Sequence, residues 1–204
     1  MWNKGEEFIP GRYVKPGVTF TSRGCPNCCA FCLVPEREGR LRHIHDFPDG
    51  HIIQDNNFLA TLPEHRQRVY AMLARQPKAA IFSGGLQASF VTDGIAEELR
   101  QVRIDTVFLA ADTVASLKPL ERAVERLAFL PRRKLRCYML LAYGGESIQQ
   151  AEERLEAAWQ IGAMPFAQLF QPPEMWIDYP PEWKALARKW SRPAAMAATH
   201  KEAR

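Results

Sequence analysis

Ala79-Ala-Ile-Phe-Ser-Gly-Gly-Leu-Gln-Ala-Ser-Phe-Val-Thr-Asp-Gly-Ile-Ala-Glu-Glu-Leu-Arg-Gln-Val102 is the stretch on which the fold turns. A short apolar run at 79–83 meets Gly84-Gly85, and an amphipathic helical pattern follows over 87–102. The same unit recurs along the chain. Apolar runs lie at 18–22, 51–55, 106–110, 136–142 and 166–170, each short enough for a buried strand. Amphipathic stretches lie between them at 62–76, 113–129 and 147–161. In the last, Ile148, Ala151, Leu155, Ala158 and Trp159 share one face, while Glu152, Glu153 and Glu156 face water. Ser147 is placed to cap its N-terminus and Gly162 to stop it.

Strand–helix alternation of this kind implies βαβ units with right-handed crossovers and a parallel sheet. Six strands fit the 204 residues. Eight would leave too few residues for their helices, which disfavours a closed barrel of about 250 residues. An α/β fold remains, either a partial, open (β/α)6 TIM-like barrel or a doubly wound sheet. In both, ligands bind at the carboxyl ends of the strands.

Residues 1–16 read as an irregular N-terminal arm, 17–171 as the core domain, and 172–204 as a Pro/aromatic C-terminal extension. Within the extension a short helix is expected around 182–190, and residues after Pro193 are expected to fray. The net charge of +4 permits an anionic partner without requiring one. No apolar run approaches the ~20 residues of a membrane span, and the N-terminus lacks the sections of a signal peptide. A cytoplasmic setting is therefore expected, where clustered cysteines favour metal over disulfide.

Four of the five cysteines sit together in Thr21-Ser-Arg-Gly-Cys-Pro-Asn-Cys-Cys-Ala-Phe-Cys32, directly after the first strand. Two registers are open. Cys25, Cys29 and Cys32 form C-x3-C-x2-C, three thiolates suited to an iron–sulfur cluster. Cys25/Cys28 with Cys29/Cys32 form two abutting C-x2-C pairs, which is zinc-like. Zinc pairs are usually separated by a dozen or more residues so that two knuckles converge, and abutting pairs would strain to close around one ion.

The stretch resembles the signature of the radical S-adenosyl-L-methionine (SAM) superfamily, with Phe31 in the aromatic place before the last cysteine. Its surroundings are most similar to the cobalamin-associated branch, but only 24 residues precede Cys25, too few for a cobalamin domain. The resemblance implies a [4Fe-4S] cluster on Cys25, Cys29 and Cys32, with SAM on the open iron. It further implies reductive SAM cleavage to a 5′-deoxyadenosyl radical that abstracts a hydrogen from substrate. On this reading Cys28 is a spectator, and a low-potential electron donor of flavodoxin or ferredoxin type is required.

Further positions follow from the resemblance. Ile81-Phe-Ser-Gly-Gly-Leu86 is similar to the family's Gly-Gly-Glu motif, which makes Gly84 and Gly85 candidates for SAM contact, with Leu86 in place of the acid. Asp112 after the fourth strand is a second candidate, or a cap for the helix that follows. Glu146, ending Cys137-Tyr-Met-Leu-Leu-Ala-Tyr-Gly-Gly-Glu146, is a third, or a first-turn acid stabilised by the helix dipole. Gln168 on the sixth strand is placed to reach the site or line it. Asp55, Asn56 and Asn57 point toward substrate or form an Asx-turn. His43-x-His45 is a metal pair or two loop histidines, and Cys137 reads as a buried small hydrophobe. The basic run Glu36-Arg-Glu-Gly-Arg-Leu-Arg42 offers a docking patch or a solvated segment.

Two functions emerge. One is a radical SAM enzyme acting on an unknown substrate. The other is a zinc- or cluster-stabilised module binding nucleic acid through Arg23, Arg37, Arg40 and Arg42 without catalysis.

Overall fold

Burial alternates residue by residue along the central strand Leu135–Leu141 of the computed structural model, which describes residues 15–201. Residues 1–14 of the arm expected over 1–16 lie outside the described residues. The strands are β1 (Val18–Thr19), β2 (Ser22–Arg23), β3 (Arg42–His43), β4 (Ile52–Ile53), β5 (Ala80–Gln87), β6 (Ile104–Ala110), β7 (Leu135–Leu141) and β8 (Met164–Leu169). The helices are α1 (Val34–Glu38), α2 (Pro63–Ala74), α3 (Asp93–Arg100), α4 (Leu117–Arg126), α5 (Ile148–Ile161), α6 (Pro181–Lys189) and α7 (Pro193–Lys201).

Six of the strands form one parallel sheet in the order β1-β4-β5-β6-β7-β8, which is also their order along the chain. All six expected strands are therefore present. The first is split: Val18–Thr19 joins the sheet, while Ser22–Arg23 leaves it to pair antiparallel with β3. Along β7, Leu135, Cys137, Met139 and Leu141 are buried and share a core with Leu99, Leu120, Leu155 and Ala158 of the helices. Arg136, Tyr138 and Leu140 on the opposite face are only half-buried. There the Tyr138 ring stacks on Phe108 at 4.6 Å, and Phe166 meets both rings edge-on.

Gly84-Gly85 does not end β5. The strand continues to Gln87 through a bulge, because Phe82 pairs with Val107 and Leu86 with Leu109, leaving three residues opposite one. Gly85 supplies the bulge with a φ of +99°, and Tyr138 Oη donates to the Ser83 carbonyl at 2.9 Å across it. The helix expected over 87–102 is correspondingly shorter. A 3-10 turn at Ala88–Phe90 precedes it, and Thr92 caps α3 by accepting the Ile95 N–H.

Ser147 caps α5 as expected, in a reciprocal pair with Gln150, and Gly162 closes the helix at a φ of +110°. The C-terminal extension departs from expectation. Residues after Pro193 form α7 instead of fraying, because Met196 is fully buried and the His200 ring stacks on Trp159 at 4.2 Å. Trp190, 1% exposed, sits between the two terminal helices. Its carbonyl accepts the Ala167 N–H, covering an edge group of β8 that the sheet leaves open. Among the described residues no helix is long and apolar enough to cross a membrane.

A Cβ added at Gly84 would lie 1.9 Å from the Asp55 carbonyl oxygen. Gly84→Ala should therefore force β4 and β5 apart and cost about 1–3 kcal/mol, read as a lower urea midpoint. An unchanged midpoint would show that the two strands are not packed this closely.

Candidate functional site

In a parallel sheet every strand delivers its following loop to the same end. The loop after β1 is the longest of these and carries the cysteines. Its base is held by Asp55, which is 1% exposed. Thr21 donates its N–H and its hydroxyl to the two carboxylate oxygens, each at 2.6 Å, and Ser22 adds its hydroxyl at 2.7 Å. Burial pushes the Asp55 carboxyl up, and these donors pull the other way. Asp55, expected to point toward substrate, is thus turned inward and fully engaged.

His65 lies on the other side of Thr21, with Nε2 3.2 Å from its hydroxyl. Its ring stacks on His43 at 4.3 Å, nearly parallel. Burial first, then His43 and Arg68, depress the His65 imidazole from the usual 6.5 to about 4. His43 Nε2 in turn accepts the Leu62 N–H at 3.3 Å. Of the two readings of His43 and His45, a metal pair or two loop histidines, His43 instead serves in this stack.

Glu38 closes the loop at its far end. One carboxylate oxygen pairs with Arg23, and the other accepts the Gly24 N–H at 3.0 Å and the Asn56 amide at 2.5 Å. The Cys25 N–H bonds the Gly39 carbonyl at 3.3 Å, which brings the two ends of the excursion together. Gly24 has a φ of +77°, and any Cβ there would overlap the Arg40 carbonyl, so no other residue fits. Asn56 accordingly braces the loop from the sheet.

Cys25 sits half-buried against the sheet. Its Sγ accepts the Asn27 N–H at 3.5 Å and an Asn57 amide N–H at 3.8 Å. Gln87 Oε1 accepts from both side-chain amides, Asn27 at 2.7 Å and Asn57 at 2.8 Å. Farther along the loop Phe31 meets the Tyr143 ring edge-on at 5.4 Å, and Tyr143 meets Phe170 at 4.9 Å. The cysteine loop is therefore anchored at both sides of the sheet end, over β4 and β5 at Cys25 and over β7 and β8 at Phe31.

Burial raises the Cys29 thiol, and neighbouring Cys32, Cys25 and Asp112 raise it further. Cys32 is tied to Cys29 through the backbone, its N–H bonding the Cys29 carbonyl at 2.9 Å. Cys28 is exposed. Among the described residues no three His, Cys, Asp or Glu side chains are gathered closely enough to hold one metal ion. Thiolates on an iron–sulfur cluster each bind a different iron and stand farther apart than four around one zinc. The three thiols, carried on one loop above the strand ends, fit the donor set such a cluster takes.

The remaining candidates divide. Asp112 is close enough to act on Cys29, and its Oδ1 accepts the Leu140 N–H at 2.9 Å, so it bridges β6 and β7 without capping a helix. Burial pushes its carboxyl up. Glu146 is consumed by the fold: Arg154, 3% exposed, donates to Oε1 through Nε and Nη2, and the Ala142 N–H donates to Oε2. Arg154 also reaches the carbonyls of Ala111 and Leu140, tying α5 to the ends of β6 and β7. Gly84 faces the Asp55 backbone, whereas Gly85 is open toward Tyr138. Gln168 is exposed, and Cys137 is fully buried with its thiol pushed well up by that burial.

Asn27, His65 and Gln87 were not singled out as site residues from the sequence. Asn27 lies inside the cysteine motif and Gln87 follows Gly-Gly-Leu, yet neither carries a spacing that marks it. No family model matches the chain, and no curated protein is found to match it.

Folded His65 resists a proton that the unfolded chain accepts near pH 6.5, so its contribution is present above 6.5 and lost as the pH falls toward 4. His65→Gln should flatten the dependence of the urea midpoint on pH across that interval. Identical slopes for the two proteins would show that His65 titrates normally.

Proposed function

We propose that this chain is a radical SAM enzyme built on an open (β/α)6 barrel. A [4Fe-4S] cluster is held by Cys25, Cys29 and Cys32, and SAM binds the iron they leave free. The observation that carries the reading is that the C-x3-C-x2-C cysteines lie on one loop over the carboxyl ends of a parallel sheet, with the Cys32 N–H bonded to the Cys29 carbonyl at 2.9 Å. Strand order supports the barrel. It never reverses along the sheet, and right-handed crossovers then place their helices on a single side, which favours curling over the doubly wound arrangement.

Cys25, Cys29 and Cys32 would hold the cluster, which would supply the one-electron reduction that SAM cleavage requires. The chain's own residues hold and enclose the site. Asp55 and Glu38 fix the two ends of the loop. Phe31 and Tyr143 form an aromatic wall on one side. Gly85 leaves room on the open face, and Asp112, half-buried, bonds the Leu140 N–H at the same end of the sheet. Asn56 and Asn57 belong to the supporting shell, since both amides are used within the protein.

Anaerobic reconstitution with iron and sulfide should load about four irons per chain and give a brown protein that cleaves SAM on reduction. Cys28→Ala should keep the cluster, whereas alanine at Cys25, Cys29 or Cys32 should abolish it. A colourless protein carrying one zinc would replace this reading with the zinc-stabilised module. A fully loaded, reduced cluster that leaves SAM intact would remove the enzymatic claim.

A further inference from the structure

Cys25 differs from the other loop cysteines in what surrounds its sulfur. Two N–H groups, from the Asn27 backbone and the Asn57 side chain, point at Sγ. The Asn57 amide is 3% exposed, and its Nδ2 makes both available bonds, to Cys25 and to Gln87 Oε1. Its Oδ1 is buried without a partner. An unpaired buried carbonyl is costly, so the orientation needs a cause. Flipping the amide would set Oδ1 against both the sulfur and Gln87 Oε1, two electron-rich atoms. The orientation is therefore dictated by the need for donors on the Cys25 side.

Gln87 is itself oriented. Its Nε2 donates to Ser89 Oγ at 2.8 Å, which turns Oε1 toward the loop, where it receives Asn27 and Asn57 together. The relay runs from Ser89 through Gln87 to two asparagines and ends on one sulfur. A deprotonated thiolate is an anion, and N–H donors stabilise it. Hydrogen bonds to thiolate sulfur also set the potential of an iron–sulfur cluster, because they favour the more electron-rich, reduced state.

We propose that Asn57 and Gln87 are positioning residues that orient the Cys25 thiolate and raise the reduction potential of the cluster it holds. The inference rests on the iron–sulfur reading given above and adds residues that lie outside the cysteine motif. Asn57 supplies the side-chain donor directly. Gln87 acts through both asparagines, so its loss removes the support of two donors at once.

The test is a redox titration of reconstituted wild type, Asn57→Asp, Gln87→Leu and Gln87→Glu, followed by electron paramagnetic resonance, with iron loss to a chelator as a second measurement. Asn57→Asp keeps the shape and exchanges the donor for an acceptor. Gln87→Leu removes the acceptor that holds both asparagines, and Gln87→Glu restores it. The first two should lower the midpoint by about 59 mV, equivalent to a tenfold change in the one-electron ratio. They should also speed iron loss about tenfold. Gln87→Glu should retain the wild-type rate of iron loss. Should Asn57→Asp not fold, the contrast between the two Gln87 variants decides the matter. Unchanged midpoint and iron loss in Asn57→Asp and Gln87→Leu would overturn the inference while leaving the cluster intact. Wild-type protein that takes up no iron would overturn the cluster reading and this inference with it.

Discussion

Thr21 and Ser22 commit three donors to the buried carboxylate of Asp55, and much of the remaining architecture is arranged around that contact. Burying a carboxylate is unfavourable unless hydrogen bonds replace the lost water, and here they do. The same bonds tie the end of one parallel strand to the end of its neighbour at the point where the chain departs from the sheet. From there the backbone enters β2 and climbs to Cys25. Gly84 has no Cβ because the Asp55 backbone occupies the space one would fill. His65 presses on Thr21 from the other side and stays neutral for the same reason, burial.

A second buried charge does comparable service at the opposite side of the sheet. Arg154 and Glu146 pair between α5 and the turn after β7, and the arginine's remaining donors are spent on the carbonyls of Ala111 and Leu140. Buried pairs of this kind contribute little net stability, but removing one partner leaves an uncompensated charge. Their effect is geometric. They hold the carboxyl ends of the central strands in register beneath the cysteine loop. The terminal helices finish the frame by covering the β8 edge through the Trp190 carbonyl.

Between these two anchored sides the cysteine loop is suspended by contacts of opposite character. Amides hold the Cys25 end, and aromatic edges hold the Phe31 end. The polar end presents N–H donors to the Cys25 sulfur, while the aromatic end fastens Phe31 to Tyr143. The exposed Cys28 and Cys29 lie between the two supports.

Sequence alone determined the six-strand count, the strand–helix alternation, the capped α5 and the grouping of the cysteines, because each is written in local periodicity or spacing. It misjudged elements whose form depends on partners distant in the chain. The Gly-Gly stretch read as the end of a strand, yet pairing with β6 carries β5 through it as a bulge. The segment after Pro193 read as frayed, yet Trp159 and Trp190 give it a surface to fold against. Asp55 and Glu146 read either as ligands or as local turn and helix-start acids, because an acid beside a glycine or asparagine in a loop carries no mark of what will face it. Only tertiary structure decided that Thr21 and Arg154 face them, and that Asn57 and Gln87 converge on Cys25 from 32 and 62 residues away in the chain. The physical reason is range: periodicity and capping act over one or two turns of chain, whereas the electrostatic partner of a buried group is set by how the strands stack.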